Sequence, residues 1–561
     1  RHDPVSYANN LVPSWGYPSS DNHITLGLDP SSRGFAIPTG RRSVTVSSQI
    51  DSYLSKVQEY EAEQDSSSLY DLANKEWQKT VLHFGGSGDS VEQVYINNWL
   101  DTYEETIEDS LFGGFVYNYA RDPFASALNN ADFQNVQMNL EDGVSLITFL
   151  GHSGVTLGFS QNIDVPENWN NQGKYPLVIG LGCYTGDVHT SDTFSYSERI
   201  IDANQAGAIG FISTSTQGFI PFINNYTGFL YHMISNVGYG QSIGQQIKLT
   251  VDSLDIFMTG IEYNEIHQSN YNGMSLQGDP AIKVNFHNRP EIILDESRIW
   301  HEPSIIDLSI DTFELFVVVT NIGKTFDDSI RLEVVRHFPD GQDSIFSKTI
   351  PGVKFRDTIS MKIPVQANIG VGINEFEIKV DLPISVVHEQ QDEIANNQIN
   401  KTIIISSNAI FPTWPYDYAI IGNQIDTLKG STMNPLEPIN NYIFEIDTTD
   451  EFNSPFKKYQ NITSIGGVVN APPNNWMNSL TNSSDPLYFT DSSVYFWRCS
   501  PDSSVLLWEE RSFQYINNKW GWGQSHFFQF KNNDYTNVNY NKPNRLFEFD
   551  PTLSKINIYA Y

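Results

Sequence analysis

The sequence predicts an α/β domain, in which a parallel sheet is covered by helices, followed by all-β immunoglobulin-like and fibronectin-like sandwiches. In the first half, helical patterns alternate with apolar runs that lack polar alternation, which is typical of parallel strands buried on both faces. In the second half, short runs of alternating apolar and polar residues are separated by turn signals such as Pro339-Asp340-Gly341. Aromatic residues make up 13% of the chain and charged residues 18%, which favours large β-rich domains.

The α/β domain is predicted to span residues 1–285. Glycines follow several of its apolar runs, as turns from a strand into a helix require. The predicted helices are Ser48–Gln64 and Val91–Phe112, and the predicted strands are Thr80–Phe84, Val144–Leu150, Leu177–Leu181 and Ala208–Thr214.

The β-rich half is predicted to contain two modules and a tail. Residues 286–407 resemble an adhesion-type (CARDB-like) sandwich, residues 408–531 resemble a fibronectin type III module, and residues 532–561 form a tail or the start of a further module. The predicted strands are Glu314–Thr320, Ile330–Arg336, Ile359–Val365, Asn374–Val380, Ser493–Arg498 and Ser512–Ile516.

Length and charge limit the classes of protein to consider. A chain of 561 residues is too long for a single core and indicates three or four domains. It begins with Arg1 rather than Met, so we expect a piece of a longer or processed protein. The formal net charge of −33 repels nucleic acid and anionic membranes, so we expect no nucleic-acid partner. No apolar stretch is long enough to span a membrane.

Metal chemistry has little support in the sequence. The two cysteines, Cys183 and Cys499, are too few for a Cys-rich zinc site, and the twelve histidines form no H-E-x-x-H motif. No EF-hand loop is present, although the many carboxylates leave a structural calcium ion as an option. We therefore expect no required cofactor and no metal in the site. Cys499 lies in a predicted sandwich strand and is interpreted as structural.

Two apolar strands each end in a glycine followed by one reactive side chain. Gly151-His152 follows the strand at Val144–Leu150, and Gly182-Cys183 follows the strand at Leu177–Leu181. Sites in open parallel sheets form at the carboxyl ends of the strands, so neighbouring strands would bring both side chains to one edge. A nearby histidine raises the thiolate fraction of a cysteine, which makes the pair a candidate nucleophile and base.

The glycines beside the pair let a substrate backbone approach and leave amide N–H groups free to hold an oxyanion. Gly154 and Cys183 are the candidate amide donors. Alternatives remain open at this stage: a cysteine after a strand is often a small buried residue, His152 fits a turn, and His189 is a rival base. The candidate substrate cleft comprises Gly151, Gly182, Ser213, Thr214 and Ser215.

Several blocks resemble the gingipain-like (C25) cysteine peptidases, which belong to the caspase-like clan. The resemblance covers about residues 10–285 and implies a caspase-like α/β fold, a Cys183 nucleophile and a His152 base that act through an acyl-enzyme. The blocks that carry it are Pro13-Ser14-Trp15-Gly16-Tyr17-Pro18, Gly40-Arg41, Leu150-Gly151-His152, Gly182-Cys183, Ala206-Gly207-Ala208-Ile209-Gly210-Phe211-Ile212-Ser213-Thr214 and Gly278-Asp279-Pro280.

Two features of the family pattern are not settled by this sequence: the oxyanion donor and the acid that orients the histidine. The family commonly has His-Gly-Ser where this chain has His152-Ser153-Gly154, so the N–H of Ser153 is a rival oxyanion donor. An acidic residue often orients the family's histidine, and Glu92 and Asp89 are both candidates. Both also fit the start of a helix, where the helix dipole stabilises an acidic side chain.

Three functions follow from these features. The resemblance and the β modules favour a cell-surface sortase of the type IX secretion system of Bacteroidetes, which removes C-terminal sorting domains from cargo. The second is a secreted gingipain-like endopeptidase, and the third is a catalytically silent surface or adhesion protein. The expected partners are protein or peptide substrates and outer-membrane secretion proteins, and the expected location is outside the cell or on the outer surface of a Gram-negative bacterium.

Overall fold

The computed structural model describes residues 12–549 with interruptions. Outside the described part lie residues 1–11, 17, 31–33, 66–69, 123–127, 157, 160–162, 164, 190–193, 261–263, 308–309, 367, 392–395, 407–408, 425–426, 434, 503–505, 507, 524–537, 542–545 and 550–561. The described residues form three large buried cores. The cores span Phe35–Val284, Ile292–Ile405 and Ile410–Tyr515.

The first core surrounds a six-stranded sheet with the strand order β2-β1-β3-β4-β5-β6. Strands β1 to β5 are parallel, and β6 pairs antiparallel with β5 at the edge. The predicted α/β fold is therefore confirmed. The strands are β1 (Thr80–Gly86), β2 (Phe115–Ala120), β3 (Leu146–Gly151), β4 (Leu177–Leu181), β5 (Gly210–Thr214) and β6 (Met274–Gly278).

Helices cover the sheet because their apolar residues recur at helical spacing. In the helix that follows β1, the buried residues Ile96, Leu100, Tyr103 and Ile107 form one stripe. The α-helices are α1 (Ser47–Gln64), α2 (Leu72–Lys75), α3 (Ser90–Glu108), α4 (Asn130–Asp142), α5 (Tyr196–Asp202), α6 (Ile220–His232), α7 (Ile243–Phe257) and α8 (Asn264–Gly273). None of the helices in the described ranges is long and apolar enough to cross a membrane.

The second core lies between two antiparallel-rich sheets, ordered β11-β10-β13-β14-β8 and β12-β9-β7. The predicted sandwich is confirmed, and each strand predicted here overlaps an observed strand. The strands are β7 (Ile292–Glu302), β8 (Ile306–Asp307), β9 (Thr312–Asn321), β10 (Ile330–His337), β11 (Asp343–Ile350), β12 (Arg356–Pro364), β13 (Gly372–Val380) and β14 (Gln398–Ser406).

The third core also lies between two sheets, ordered β15-β17-β20 and β22-β21-β19-β18-β23-β24-β16-β25. Beyond it, β26 and β27 pair with each other, and the rest of the predicted tail lies outside the described residues. The strands are β15 (Ile410–Trp414), β16 (Ala419–Ile421), β17 (Leu428–Thr432), β18 (Asn440–Asp447), β19 (Lys458–Ser464), β20 (Val468–Ala471), β21 (Trp476–Asn478), β22 (Ser484–Asp485), β23 (Ser493–Pro501), β24 (Glu509–Tyr515), β25 (Gly521–Trp522), β26 (Val538–Asn541) and β27 (Leu546–Phe549).

The α/β domain and the first sandwich are packed against each other. Tyr70 forms a small buried cluster with Ile293 and Ile322 of the sandwich. Close by, the ammonium of Lys79 is fully buried and donates hydrogen bonds to the carbonyl oxygens of Phe112 and Gly323. The junction therefore contains both apolar and polar contacts that cross from one fold to the other.

Helix α3 extends from the sheet edge to this junction. Just beyond its C-terminal end, Thr325 of the sandwich donates its hydroxyl to the carbonyl oxygen of Ser110 at 2.7 Å and its backbone N–H to that of Leu111 at 3.2 Å. At 1.5 Å per residue, the 19 residues of α3 span roughly 28 Å. One end of α3 therefore meets the sandwich, and the other end reaches the carboxyl edge of the sheet.

Candidate active site

The register of β3 and β4 brings His152 and Cys183 to the same edge of the sheet. Leu150 and Leu181 are direct partners in the parallel ladder. His152 and Cys183 each follow two residues after that pair, so they leave the sheet at equivalent positions on adjacent strands. Adjacent strands lie about 4.8 Å apart, which puts the two reactive residues side by side.

Glycines allow the two strand ends to pack this closely. A Cβ atom on Gly182 would overlap the Cβ of Ser153 and lie 3.2 Å from the carbonyl oxygen of Gly151. A Cβ atom on Gly151 would overlap the backbone of Gly86 at the end of β1. Any larger residue at Gly182 or Gly151 would therefore push the histidine and cysteine loops apart or away from β1.

His152 is held by a hydrogen bond to Glu92. The distance from His152 Nε2 to Glu92 Oε2 is 2.9 Å. The histidine side chain is 60% exposed and the glutamate side chain 28%, so the pair lies at the surface of the sheet edge. A carboxylate at Nε2 favours the tautomer that carries its proton there and leaves Nδ1 as the basic nitrogen.

Glu92 and Asp89 have different positions in the structure, although both belong to the start of α3. The carboxylate of Asp89 caps the helix by accepting hydrogen bonds from the N–H groups of Val91 at 2.8 Å and Glu92 at 3.0 Å. It has the role of a helix-start acid, which the sequence also allowed. Glu92 is in the first turn, one residue on from Val91, and its carboxylate contacts His152.

The thiol of Cys183 is half-buried and free of any disulfide. Its Sγ lies 3.9 Å from the carbonyl oxygen of Gly218, in the segment that follows β5. The next residue, Tyr184, has a positive φ of 58° and donates its N–H to Thr216 at 2.8 Å. The turn after Cys183 is therefore fixed against the 216–218 segment, which forms one wall beside the thiol.

Three backbone amides in the loops that carry His152 and Cys183 were predicted as oxyanion donors. Within the ranges that the structure describes, no group accepts a hydrogen bond from the N–H of Ser153, Gly154 or Cys183. The Ser153 hydroxyl is engaged, because it donates to the carbonyl oxygen of Gly158. The N–H groups of Ser153, Gly154 and Cys183 therefore all remain candidate oxyanion donors.

Part of the predicted substrate cleft is wrong. Ser213 and Thr214 are only 0% and 2% exposed, because both are the last residues of the buried strand β5. Ser215 is half-buried and exchanges hydrogen bonds with Ser19, whose hydroxyl lies 3.0 Å away. Of the three residues, Ser215 alone is accessible, and the predicted glycines Gly151 and Gly182 contribute only backbone.

The 216–218 segment beside the thiol also borders an open cavity of about 360 Å³, because Thr216 and Gln217 are among its lining residues. Among the described residues that line it, Glu265 in the first turn of α8 carries a charge and the others are apolar or neutral. The cavity is lined by Pro18, Thr216, Gln217, Phe219, Glu265, Ile266, Ser269 and Asn270.

The other candidate residues, His83, His189 and Cys499, have different surroundings. His83 is buried in the sheet, where it contacts Tyr231 and Asn118, and burial lowers its pKa to about 3. His189, the rival base, interacts electrostatically with Asp21 and helps to lower the pKa of that carboxyl group. Cys499 is fully buried in β23, where burial raises the pKa of its thiol well above the usual range. The described residues include no group of three or more metal-binding side chains.

Sequence reasoning missed several residues that surround the pair. Ser87 contacts the Glu92 carboxylate, Gly218 contacts the thiol, Ser19 contacts Ser215, and Glu265 lines the cavity. Of these residues, only Ser87 had a local signal in the sequence, because Gly88-Asp89 follows it and marks a turn after a strand. The other contacts join segments that are far apart in the chain and have no signature of their own.

The profile of Peptidase family C25 matches residues 2–285 of this chain. A search of curated proteins returned no match. Among solved structures, the Arg-specific cysteine proteinase gingipain R (RgpB) of Porphyromonas gingivalis is 12% identical with a TM-score of 0.38, and 70% of this chain and 81% of that chain are covered. Dimeric latent PorU of the same organism is 11% identical with a TM-score of 0.14, covering 55% and 41%. A CARDB domain from Pyrococcus furiosus, in complex with di-metal ions, is 19% identical with a TM-score of 0.17, covering 21% and 96%.

Proposed function

The chain belongs to peptidase family C25 and is a cysteine peptidase, and we propose that Cys183 is its nucleophile, His152 its base and Glu92 the acid that orients His152. The observation that carries the proposal is the hydrogen bond from His152 to Glu92, made at the end of β3, beside the end of β4 from which Cys183 follows. A nucleophile, a base within reach and a third group behind the base are the three parts that acyl transfer requires.

In the first half of the reaction, Nδ1 of His152 takes the proton from the Cys183 thiol. The thiolate attacks the carbonyl carbon of the scissile peptide, and the oxyanion that forms is bound by the N–H of Cys183 and that of Gly154 or Ser153. His152 then donates the proton to the leaving amine. The C–N bond breaks and a thioester joins the acyl group to Cys183. Glu92 stabilises the imidazolium while it exists.

In the second half, an acceptor resolves the thioester. His152 removes a proton from the acceptor, which attacks the thioester carbonyl and releases the Cys183 thiolate, and the proton returns to sulfur. Water as the acceptor gives a carboxylic acid, and an amine gives a new amide bond. Hydrolysis and transpeptidation therefore share one site and differ only in the acceptor that reaches it.

The substrate side chain nearest the scissile bond is proposed to enter the cavity beside Gly218. The apolar groups of Pro18, Phe219 and Ile266 suit a long aliphatic stem, and Glu265 is the charged residue among the described lining residues. A positively charged end is favoured there over a neutral one of the same shape. Because Glu265 is exposed, the preference is expected to be modest.

Alkylation of Cys183 by iodoacetamide tests the catalytic pair. We expect rapid labelling of Cys183 in the native protein, slow labelling in His152→Ala, and none of Cys499 until the protein unfolds. Cys499 serves as an internal control because it is buried in the same molecule. Labelling of Cys183 at the rate of an unactivated thiol, unchanged by His152→Ala, would contradict the proposal.

We extend the proposal to a sortase-like role at the outer surface of a Gram-negative bacterium. The peptidase would remove C-terminal sorting domains from type IX secretion cargo and pass the acyl group to an amine. The support is the domain context, since two β-sandwiches follow the catalytic domain, as expected of a protein that works beside secretion partners. Mass spectrometry of a sorting-domain substrate with added amine tests this role. Products of hydrolysis alone would leave the secreted endopeptidase as the function.

A further inference from the structure

Ser87 lies behind the Glu92 carboxylate, in the turn that joins β1 to α3. Its side chain is fully buried, and its hydroxyl donates a hydrogen bond to Glu92 Oε2. The same oxygen accepts the hydrogen bond from His152. One oxygen of Glu92 therefore has two partners, the exposed imidazole of His152 and the buried hydroxyl of Ser87.

The direction of the Ser87 hydroxyl is determined by its neighbours. Its oxygen accepts a hydrogen bond from the N–H of Asp89 at 3.0 Å, so its own proton is free to point at the Glu92 carboxylate. The carboxylate has no proton to offer a hydroxyl, so Ser87 is the donor in this contact. Hydrogen bonds to a charged acceptor are about twice as strong as neutral ones.

The backbone of Ser87 is held as firmly as its side chain. Its N–H donates to Gln93 Oε1 at 2.9 Å, and its carbonyl oxygen accepts from Arg121 Nη2 at 2.9 Å. Gln93 is itself fixed by a hydrogen bond to Asn97 one turn along α3, at 2.8 Å. Both backbone groups of Ser87 are therefore hydrogen-bonded, and they fix the loop that carries the hydroxyl donor to Glu92.

We infer that Ser87 is a positioning residue for the proposed catalytic site, which holds the Glu92 carboxylate in place so that Glu92 can orient His152. Ser87 contacts neither the thiol nor the imidazole and acts only through Glu92. The inference rests on the proposed function. The inference goes beyond that function because it adds Ser87, in the β1–α3 turn, to the proposed line of Cys183, His152 and Glu92.

A purely structural role predicts a different behaviour. If Ser87 only completes the turn, its removal lowers the stability of the protein. Any change in the alkylation rate of Cys183 is then the same whether or not Glu92 is present. A serine that acts through Glu92 loses its effect once the carboxylate is gone. A double-mutant cycle separates the two, because residues that share a network are not additive.

The experiment measures the rate of Cys183 alkylation by iodoacetamide in the full chain for Ser87→Ala, Glu92→Ala and the double variant. We expect Ser87→Ala to slow alkylation about tenfold, and to change it less than about twofold when Glu92 is already alanine. Ser87→Thr retains the hydroxyl and is expected to restore most of the rate. It also keeps the test valid if the Ser87→Ala protein folds poorly.

Ser110 provides a matched control at the other end of α3. It is also buried, donates its hydroxyl to the carbonyl oxygen of Ile107 and accepts the N–H of Phe112. Ser110→Ala is expected to lower the unfolding temperature but leave the alkylation rate unchanged. Equal effects of Ser87→Ala with and without Glu92 would overturn the inference alone. An unactivated Cys183 in the wild-type protein would overturn the proposed function, and the inference with it.

Discussion

His152 and Glu92 are joined by a 2.9 Å hydrogen bond across a separation of 60 residues. The histidine comes from the end of β3, and the glutamate comes from the first turn of α3. Each residue is fixed by its own element, so their contact depends on how α3 packs beside the sheet. The orientation of the histidine at the strand end therefore depends on the tertiary packing of the domain.

Replacing His152 with alanine is expected to reduce peptide cleavage at least about 100-fold, because general acid–base groups contribute that much or more. Cys183→Ala is expected to abolish covalent turnover. The measurement is hydrolysis of a fluorogenic peptide pool, with the unfolding temperature as a check on the fold. His83→Ala is a useful contrast, since His83 is buried in the core and its loss should reduce stability instead.

Substitutions at the start of α3 are expected to separate catalysis from helix capping. Glu92→Gln should reduce turnover about tenfold or more, because it removes the charge that the imidazolium requires. Asp89→Ala should reduce the free energy of unfolding by about 1 kcal/mol, because it removes a helix cap, and should change turnover little. Chemical denaturation and initial rates of the two variants test this. A larger catalytic loss in Asp89→Ala than in Glu92→Gln would reverse the assignment.

Gly182→Ala is expected to disrupt the site by separating the two loops. The added Cβ would overlap the Cβ of Ser153, and the backbone of one loop must move to relieve it. Such overpacking costs about 1–3 kcal/mol, and the displaced Cys183 should react slowly with alkylating agents. Gly228→Ala in α6 is the control, since a Cβ there meets no atom within 4 Å. Normal activity in Gly182→Ala would show that the close packing is dispensable.

Neutralising Glu265 is expected to change selectivity rather than catalysis. Competing peptides that differ only in lysine or norleucine beside the scissile bond measure the preference. We expect the wild-type protein to favour lysine about threefold to fivefold and Glu265→Gln to lose that preference, because an exposed carboxylate contributes up to about 1 kcal/mol. An unchanged ratio would place the substrate side chain outside this cavity.

The buried ammonium of Lys79 is expected to make stability depend on pH. Burial lowers its pKa to about 7 in the folded protein, whereas the unfolded chain keeps its proton up to a pH of about 10.4. Between these values the unfolded state binds the extra proton, so raising the pH favours the folded state by at most about 1.4 kcal/mol per pH unit. Denaturation of the wild-type protein and Lys79→Met from pH 7 to pH 10 should show this gain only in the wild type.

The local pattern of the sequence was sufficient to predict the strand that positions the proposed nucleophile. The strand Leu177–Leu181 begins and ends where it was predicted, and Cys183 follows it at the carboxyl edge of the sheet. Buried parallel strands are short apolar runs bounded by turn residues, and a glycine followed by one reactive residue is a local signal. The sandwich strands were predicted for the same reason, since alternation of period two is read directly from the chain.

Tertiary packing decided the features that could not be predicted. The choice of Glu92 over Asp89 depends on the rotation of α3 about its axis, which two acids three residues apart do not reveal. Ser213 and Thr214 were wrongly assigned to the cleft because β5 continues through them and buries their side chains. The antiparallel edge strand Met274–Gly278 has no marker that distinguishes its direction, and Glu265 reaches the cavity only through the packing of α8.

The packed junction affects how the catalytic domain can be produced on its own. The family match ends at residue 285, but Tyr70 packs on Ile293 and Ile322, beyond that boundary. A protein truncated there would expose this apolar contact to water and leave the Lys79 ammonium without the Gly323 carbonyl. We expect such a fragment to be poorly soluble and to aggregate, whereas a fragment that ends after β14 at Ser406 keeps both contacts and should remain soluble.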